Sequence, residues 1–330
     1  MQTVAIVGCF AAALVLTPLA ARLGWKMGAV DVPRDWRRMH TDSVPRAGGI
    51  AILASVTAAF LCAGKGTPQT AAGICGGLAV FLIGLADDIR PLPWAARLTV
   101  QVLAAAVGTV AAGSGGVLPA ALSMLWLVAM TNAHNFIDGL DGLFAGCAAI
   151  EGCCLAGVLL LGGMGDFRFP LLISAACLGF LWHNRYPAHV FAGDCGSGAV
   201  GYLLGFAALR AFAAPAWGLG RLAPLFVFAY PLTDLSAAVL RRALRGVSPF
   251  SADRGHLHHR ICAVGVPQPV CAAVLWGLCA ASGICGVLLA RRENALGAAI
   301  SAIGMILTLV LTKRGLLRSG RQIRRDRLQP

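Results

Sequence analysis

Apolar runs long enough to cross a lipid bilayer recur along the whole chain, and no other feature constrains its fold so tightly. A bilayer core of about 30 Å calls for roughly 20 apolar residues in a helix. Inside that core every backbone N–H and C=O must find a partner within the protein, which a helix provides for itself. The runs fall at 2–21, 47–63, 71–86, 98–112, 117–131, 142–161, 169–184, 199–214, 218–238, 269–290 and 295–311. They predict an all-α, polytopic transmembrane bundle of about eleven helices. Ten is the alternative, because some runs are short and 98–112 and 117–131 are parted by only a few Gly and Ser residues. The first run has neither a basic leader nor a convincing cleavage site, so it is expected to be a retained helix.

Composition agrees. Hydrophobic residues make up 58% of the 330 and charged residues 12%, where a soluble chain carries about a quarter charged. A water-soluble domain, a disordered chain and a secreted disulfide scaffold are excluded. Of the twelve cysteines, all but Cys195 and Cys262 lie inside apolar runs, where they serve as small packing residues.

The charges then orient the bundle. The segments 22–46, 87–97, 132–141, 185–198, 239–268 and 312–330 hold 21 of the 27 Lys and Arg residues. Positive residues favour the cytoplasmic side, which puts these segments in the cytoplasm, the N-terminus in the periplasm and the C-terminus inside. All seven histidines and ten of the fourteen acids fall in the same segments or at the span ends beside them. The chemistry is therefore expected on the cytoplasmic face. Residues 1–311 form one transmembrane domain with catalytic loops. Residues 312–330 form a basic tail suited to anionic lipid headgroups. The net charge of +13 favours anionic partners, with no nucleic acid among them.

Four polar clusters stand out. Asp87 and Asp88 end the third run in GLADDIRPLP. Adjacent carboxylates there need a cation or a proton to relieve their repulsion, unless Arg90 balances an ordinary solvated helix end. Asn132, Asn135, Asp138 and Asp141 follow the fifth run in TNAHNFIDGLDGL. Spacing by three puts neighbours on adjacent turns, but the stripe drifts by about 60° per step. A break at Gly139 and Gly142 would let the oxygens converge, to suit a hard cation or ribose and base groups. Asp194 lies in FAGDCGSG, where backbone N–H groups opening the next helix would favour phosphate. The fourth cluster is Arg254, His256, His258, His259 and Arg260 in SADRGHLHHR. It suits a phosphate cradle better than a soft-metal site. Glu151 sits in mid-span and is expected to be paired or protonated. Asp234 is placed to support the histidine cluster.

Together, the Asp-Asp pair, NxxNxxDGxDGL, GDxGS and HxHH resemble the polyprenyl-phosphate N-acetylhexosamine-1-phosphate transferases, glycosyltransferase family 4, and within it the undecaprenyl-phosphate GlcNAc-1-phosphate transferase branch. The resemblance covers about residues 20–265, and VPRAGG at 44–49 fits the family's Gly-Gly segment. His189 stands where the family often has Lys or Arg, and Val200 where leucine is usual. Leu257 interrupts the histidine triplet typical of enzymes using UDP-MurNAc-pentapeptide, which favours a simpler UDP-HexNAc donor.

The resemblance implies transfer of a sugar-1-phosphate, most simply GlcNAc-1-phosphate, from a UDP-sugar to undecaprenyl phosphate with release of UMP, in a bacterial inner membrane. It implies Mg²⁺, with Mn²⁺ as a substitute, held by Asp194 and Asn135. Asp87, with Asp88 as its partner, would act as base or positioner for the lipid phosphate. Asn132, Asp138 and Asp141 would bind the substrate, the two acids at the uridine. Arg254, His256, His258, His259 and Arg260 would take the donor's phosphates or sugar. Such enzymes also allow a homodimer. A transporter is the alternative from another class, but it would need polar groups on both faces, and the outer segments are nearly bare of them.

Overall fold

The computed structural model describes residues 2–32, 43–63, 67–164, 167–248 and 255–291. The expected span 295–311, the tail 312–330 and Arg254 lie outside these residues. The long helices are α1 (Gln2–Met27), α2 (Gly48–Ala63), α3 (Pro68–Ile89), α4 (Trp94–Ala111), α5 (Val117–Ile137), α6 (Leu143–Leu161), α7 (Arg168–Asn184) and α8 (Gly193–Phe212). A 3₁₀ segment (Pro215–Leu222), α9 (Ala223–Val227), α10 (Ala229–Leu244), α11 (Leu257–Cys262) and α12 (Gln268–Ala290) complete the order. Among the described residues, seven helices are long and apolar enough to cross a membrane. The chain is a multi-pass helical membrane protein.

Two departures from the expected spans have local causes. The run 218–238 is not one straight helix: α10 turns away from the preceding segment by 71°. Pro231 in the first turn of α10 has no N–H to give and crowds the carbonyl four residues back, at Val227, where α9 ends. A minimal antiparallel ladder also interrupts the all-α pattern, pairing Val30 with Pro45 and Asp31 with Val44. It ties the end of α1 to the start of α2.

The centre of the bundle is α8, buried along nearly its whole length and packed by α3, α5 and α2. Small residues permit this, as they do between membrane helices generally. A β-carbon at Gly84 of α3 would sit 2.6 Å from the Cys195 backbone nitrogen, and one at Gly49 of α2 would strike the backbone of Gly196. The two close approaches bring the ends of α2, α3 and α8 to one place. The C-terminal end of α5 arrives beside them.

Candidate active site

Asp88 is the buried hub of this end. At 2% exposure its carboxylate accepts from the backbone N–H groups of Asp194 at 3.1 Å and Cys195 at 3.0 Å. Ala192, which opens α8, has no side chain able to cap it, so Asp88 caps the helix from α3. An anion belongs at that position, where unpaired N–H groups and the helix dipole both favour it. The N–H groups expected to receive phosphate are thus partly taken by the protein's own carboxylate. Gly193 makes the turn at φ +75°, the left-handed region that glycine enters freely. Arg46 approaches Asp88 Oδ1 at 3.7 Å and donates to its carbonyl at 3.1 Å. The VPRAGG segment is laid in by Gly48 and Gly49 N–H groups donating to Phe191 and Ala192 carbonyls at 2.9 and 3.0 Å.

Asp87 faces the other way. It accepts from the Leu92 N–H at 2.6 Å and from Arg97 Nη1 at 2.9 Å, and the same Nη1 lies 2.8 Å from Asp194 Oδ2. Arg97 of α4 therefore bridges two carboxylates that would otherwise repel, supplying the countercharge that sequence alone suggested for Arg90. It was not among the expected site residues. The available signal was a single arginine in the first turn of an apolar helix just after the acid pair.

Beside this bridge lies a cavity of about 210 Å³. Its lining combines Arg97, Asn132, Asn135, Asp194 and Arg242 with the apolar side chains of Val80, Ile83, Trp94 and Leu98. Asn135 donates to Ser197 Oγ at 3.2 Å, which fastens the end of α5 to α8. Asn132 donates to Gln101 Oε1 at 2.8 Å. The helix stops at Ile137, Asp138 follows as its cap, and Gly142 turns the chain at φ +73°, so the expected break is present. Asp141 accepts from the Ala188 N–H at 2.9 Å and ties down the loop between α7 and α8. Burial pushes the Asp138 carboxyl up to about 8, helped by the nearby charges of Asp194, Asp88 and Asp141 and opposed by the Gly193 N–H.

The histidine segment closes over the same place. His256 Nδ1 lies 2.7 Å from Asp234 Oδ2, and the Leu257 N–H donates to Asp234 Oδ1 at 2.9 Å. Asp234 thus anchors the start of α11, as its position in the sequence suggested. His256 stacks on His258 with ring centroids 5.7 Å apart, and His258 meets His259 at 4.3 Å. His258 is 1% exposed, and among the described residues neither of its ring nitrogens has a hydrogen-bond partner. A β-carbon at Gly139 would collide with His258 Nε2, so the DGLDG turn and the histidines touch. Phe136 of α5 lies between His256 and the Arg242 guanidinium, with centroid distances of 5.1 and 5.2 Å. Burial holds the His258 ring down at about 3 and also lowers Arg260.

All four clusters, scattered over some 170 residues of chain, meet at one end of the bundle. Among the described residues no three His, Cys, Asp or Glu side chains form a ready-made metal shell. The donor set still fits a hard cation. Mg²⁺ is commonly held by one or two carboxylates with substrate phosphates completing its shell, and Asp194 and Asn135 both line the cavity. Burial first, and the charges of Asp194, Asp88 and Asp141 after it, favour the protonated form of Asp138, and a cation among these carboxylates would relieve the second effect.

One cavity of a helical membrane protein is thus lined by carboxylate, amide and arginine groups together with apolar side chains. The sequence profile of glycosyl transferase family 4 matches residues 70–212. Similar proteins include a probable undecaprenyl-phosphate N-acetylglucosaminyl 1-phosphate transferase of Bacillus subtilis, 32% identical over 80% of this chain and 78% of the relative. A decaprenyl-phosphate N-acetylglucosaminephosphotransferase of Mycolicibacterium smegmatis is 33% identical over 97% and 90%. An undecaprenyl-phosphate alpha-N-acetylglucosaminyl 1-phosphate transferase of Escherichia coli K12 is 29% identical over 74% and 72%. The chain belongs to glycosyl transferase family 4, in the branch of the polyprenyl-phosphate GlcNAc-1-phosphate transferases.

Proposed function

We propose that this protein transfers GlcNAc-1-phosphate from UDP-GlcNAc to undecaprenyl phosphate, releasing UMP, at the cytoplasmic face of a bacterial inner membrane. This would be the first membrane step of a cell-surface polysaccharide. The observation that carries the reading is a cavity whose lining holds Arg97, Asp194 and Asn135 together with apolar side chains. A phosphate on an isoprenoid chain needs both surfaces at once. Arg46, Arg97 and Arg242 at the site support a cytoplasmic face, and the relatives' names support the donor and acceptor.

In the reaction, an oxygen of the lipid phosphate attacks the β-phosphorus of the donor. A new P–O bond forms, the bond to the bridging oxygen breaks, and UMP leaves with that oxygen. A phosphate monoester loses its second proton near pH 6, so the acceptor needs little help as a nucleophile. Catalysis is then mostly positioning and charge stabilisation. In this reading Arg97 holds the acceptor phosphate, with Asp87 steering the guanidinium. Asp88 keeps the start of α8, and hence Asp194, in place. In this reading His258, whose ring nitrogens have no hydrogen-bond partner among the described residues, and Arg260 take the donor. Mg²⁺ bound by Asp194 and Asn135 would supply charge neutralisation at the diphosphate.

The test is release of UMP by the purified protein in detergent with Mg²⁺ and undecaprenyl phosphate, across UDP-GlcNAc, UDP-GalNAc and UDP-MurNAc-pentapeptide. UMP from UDP-GlcNAc is expected. No UMP from any of these donors would defeat the proposal.

A further inference from the structure

One buried ionisable pair takes no part in the site described above. His134 of α5 and Glu151 of α6 are both 0% exposed, and His134 Nε2 lies 2.7 Å from Glu151 Oε2. His134 Nδ1 lies 3.0 Å from the Met130 carbonyl oxygen. A carbonyl can only accept, so Nδ1 carries a hydrogen. The 2.7 Å contact between Nε2 and Oε2 joins the two side chains by a hydrogen bond, so neither polar group is left unpaired where His134 meets the rings of Phe144 and Phe228 inside an apolar bundle.

Its contacts reach further than two helices. The Cys279 thiol of α12 donates to Glu151 Oε1 at 3.5 Å. On the opposite side His134 rests on α8, where a β-carbon at Gly201 would come within 2.9 Å of His134 Cβ and Cγ. Gly201 is one turn along from Ser197, the residue that receives the Asn135 hydrogen bond. Asn135 is the next residue after His134, so rotation of α5 about its axis moves both together.

We propose that His134 and Glu151 are a positioning pair: through their buried Nε2–Oε2 hydrogen bond they fix the rotation of α5, and so set Asn132, Asn135 and Asp138 against Asp194. The inference rests on the transferase reading of the site. Its test compares Glu151→Gln, Glu151→Leu and the double variant His134→Leu/Glu151→Leu, each purified in detergent, by kinetics and by thermal unfolding.

A glutamine can donate an N–H to His134 Nε2, so Glu151→Gln should keep turnover within about twofold. Leucine leaves Nε2 orphaned, and kcat should fall about 10²-fold, the cost of roughly 1 Å of misplacement, with the acceptor KM little changed. The double variant leaves no orphan and should melt near wild type while turning over as slowly as Glu151→Leu. Wild-type turnover in the double variant would overturn the proposal. So would a Gln variant as slow as the Leu variant, since that would require a fixed charge. Should Glu151→Leu fail to accumulate, these two variants still decide. Absence of UMP release by the wild-type protein would defeat the transferase reading instead.

Discussion

The Asp87–Asp88–Asp194 side of the site and the Asp234–His258 side adjoin at Gly139, yet their surplus groups are of opposite kinds. Around the first, the ion pairs among the described residues give Asp87, Asp88 and Asp194 only Arg46 and Arg97, and Arg97 is shared between two carboxylates. Around the second, Asp234 already has His256 and the Leu257 N–H, and what is left over is His258 with no partner among the described residues. One side lacks positive charge and the other offers unused nitrogens. A diphosphate with a divalent cation meets both needs together, which neither side could do alone.

The contrast can be broken most severely on the carboxylate side. Asp194→Asn removes an oxygen charge from the cavity and leaves Arg97 held by Asp87 alone. UMP release should fall by about 10³-fold, at the upper end for loss of one preorganised charge contact. Turnover near wild type would remove Asp194 from the metal assignment. Arg97→Gln should cost less, about 10²-fold, and chiefly through a raised KM for the lipid phosphate. An effect confined to the UDP-sugar KM would place Arg97 at the donor instead.

A smaller effect sharpens the same comparison through pH. The Asp138 carboxyl is raised from 3.8 to about 8, so the stability it lends is full below pH 3.8 and fades as pH climbs towards 8. The His258 ring is lowered from 6.5 to about 3. Its contribution is therefore present above pH 6.5 and is lost as pH falls below that value. Thermal unfolding in detergent from pH 5 to 8 should show Asp138→Asn flattening the decline on the alkaline side. His258→Asn should flatten the decline on the acid side. The reverse pattern would mean the two environments are exchanged.

Much of this was legible in the chain because membrane helices advertise themselves: long apolar runs mark α1 to α8, and rare polar residues in such runs mark the site. The break after Ile137 followed from the drift of Asn132, Asn135, Asp138 and Asp141 around a helix. Pairings between distant segments were not legible. Nothing local says that Asp88 caps α8, 106 residues away, or that Arg97 rather than Arg90 answers Asp87. His134 looked like one more histidine of the polar face, because its neighbours in sequence are site residues. Only the packing of α5 on α6 shows that it faces inward to Glu151. The bend before α10 was signalled by Pro231 but masked by the apolar residues around it.

The central claim is that the two sides act on one donor molecule. It is tested most directly by the affinity of the purified protein for UDP-GlcNAc with Mg²⁺, measured for Asp138→Asn, His258→Asn and the double variant. If both groups serve the same bound donor, each single variant weakens UDP-GlcNAc binding and the double variant weakens it further. Wild-type donor affinity in either single variant would take that side off the donor and contradict the account.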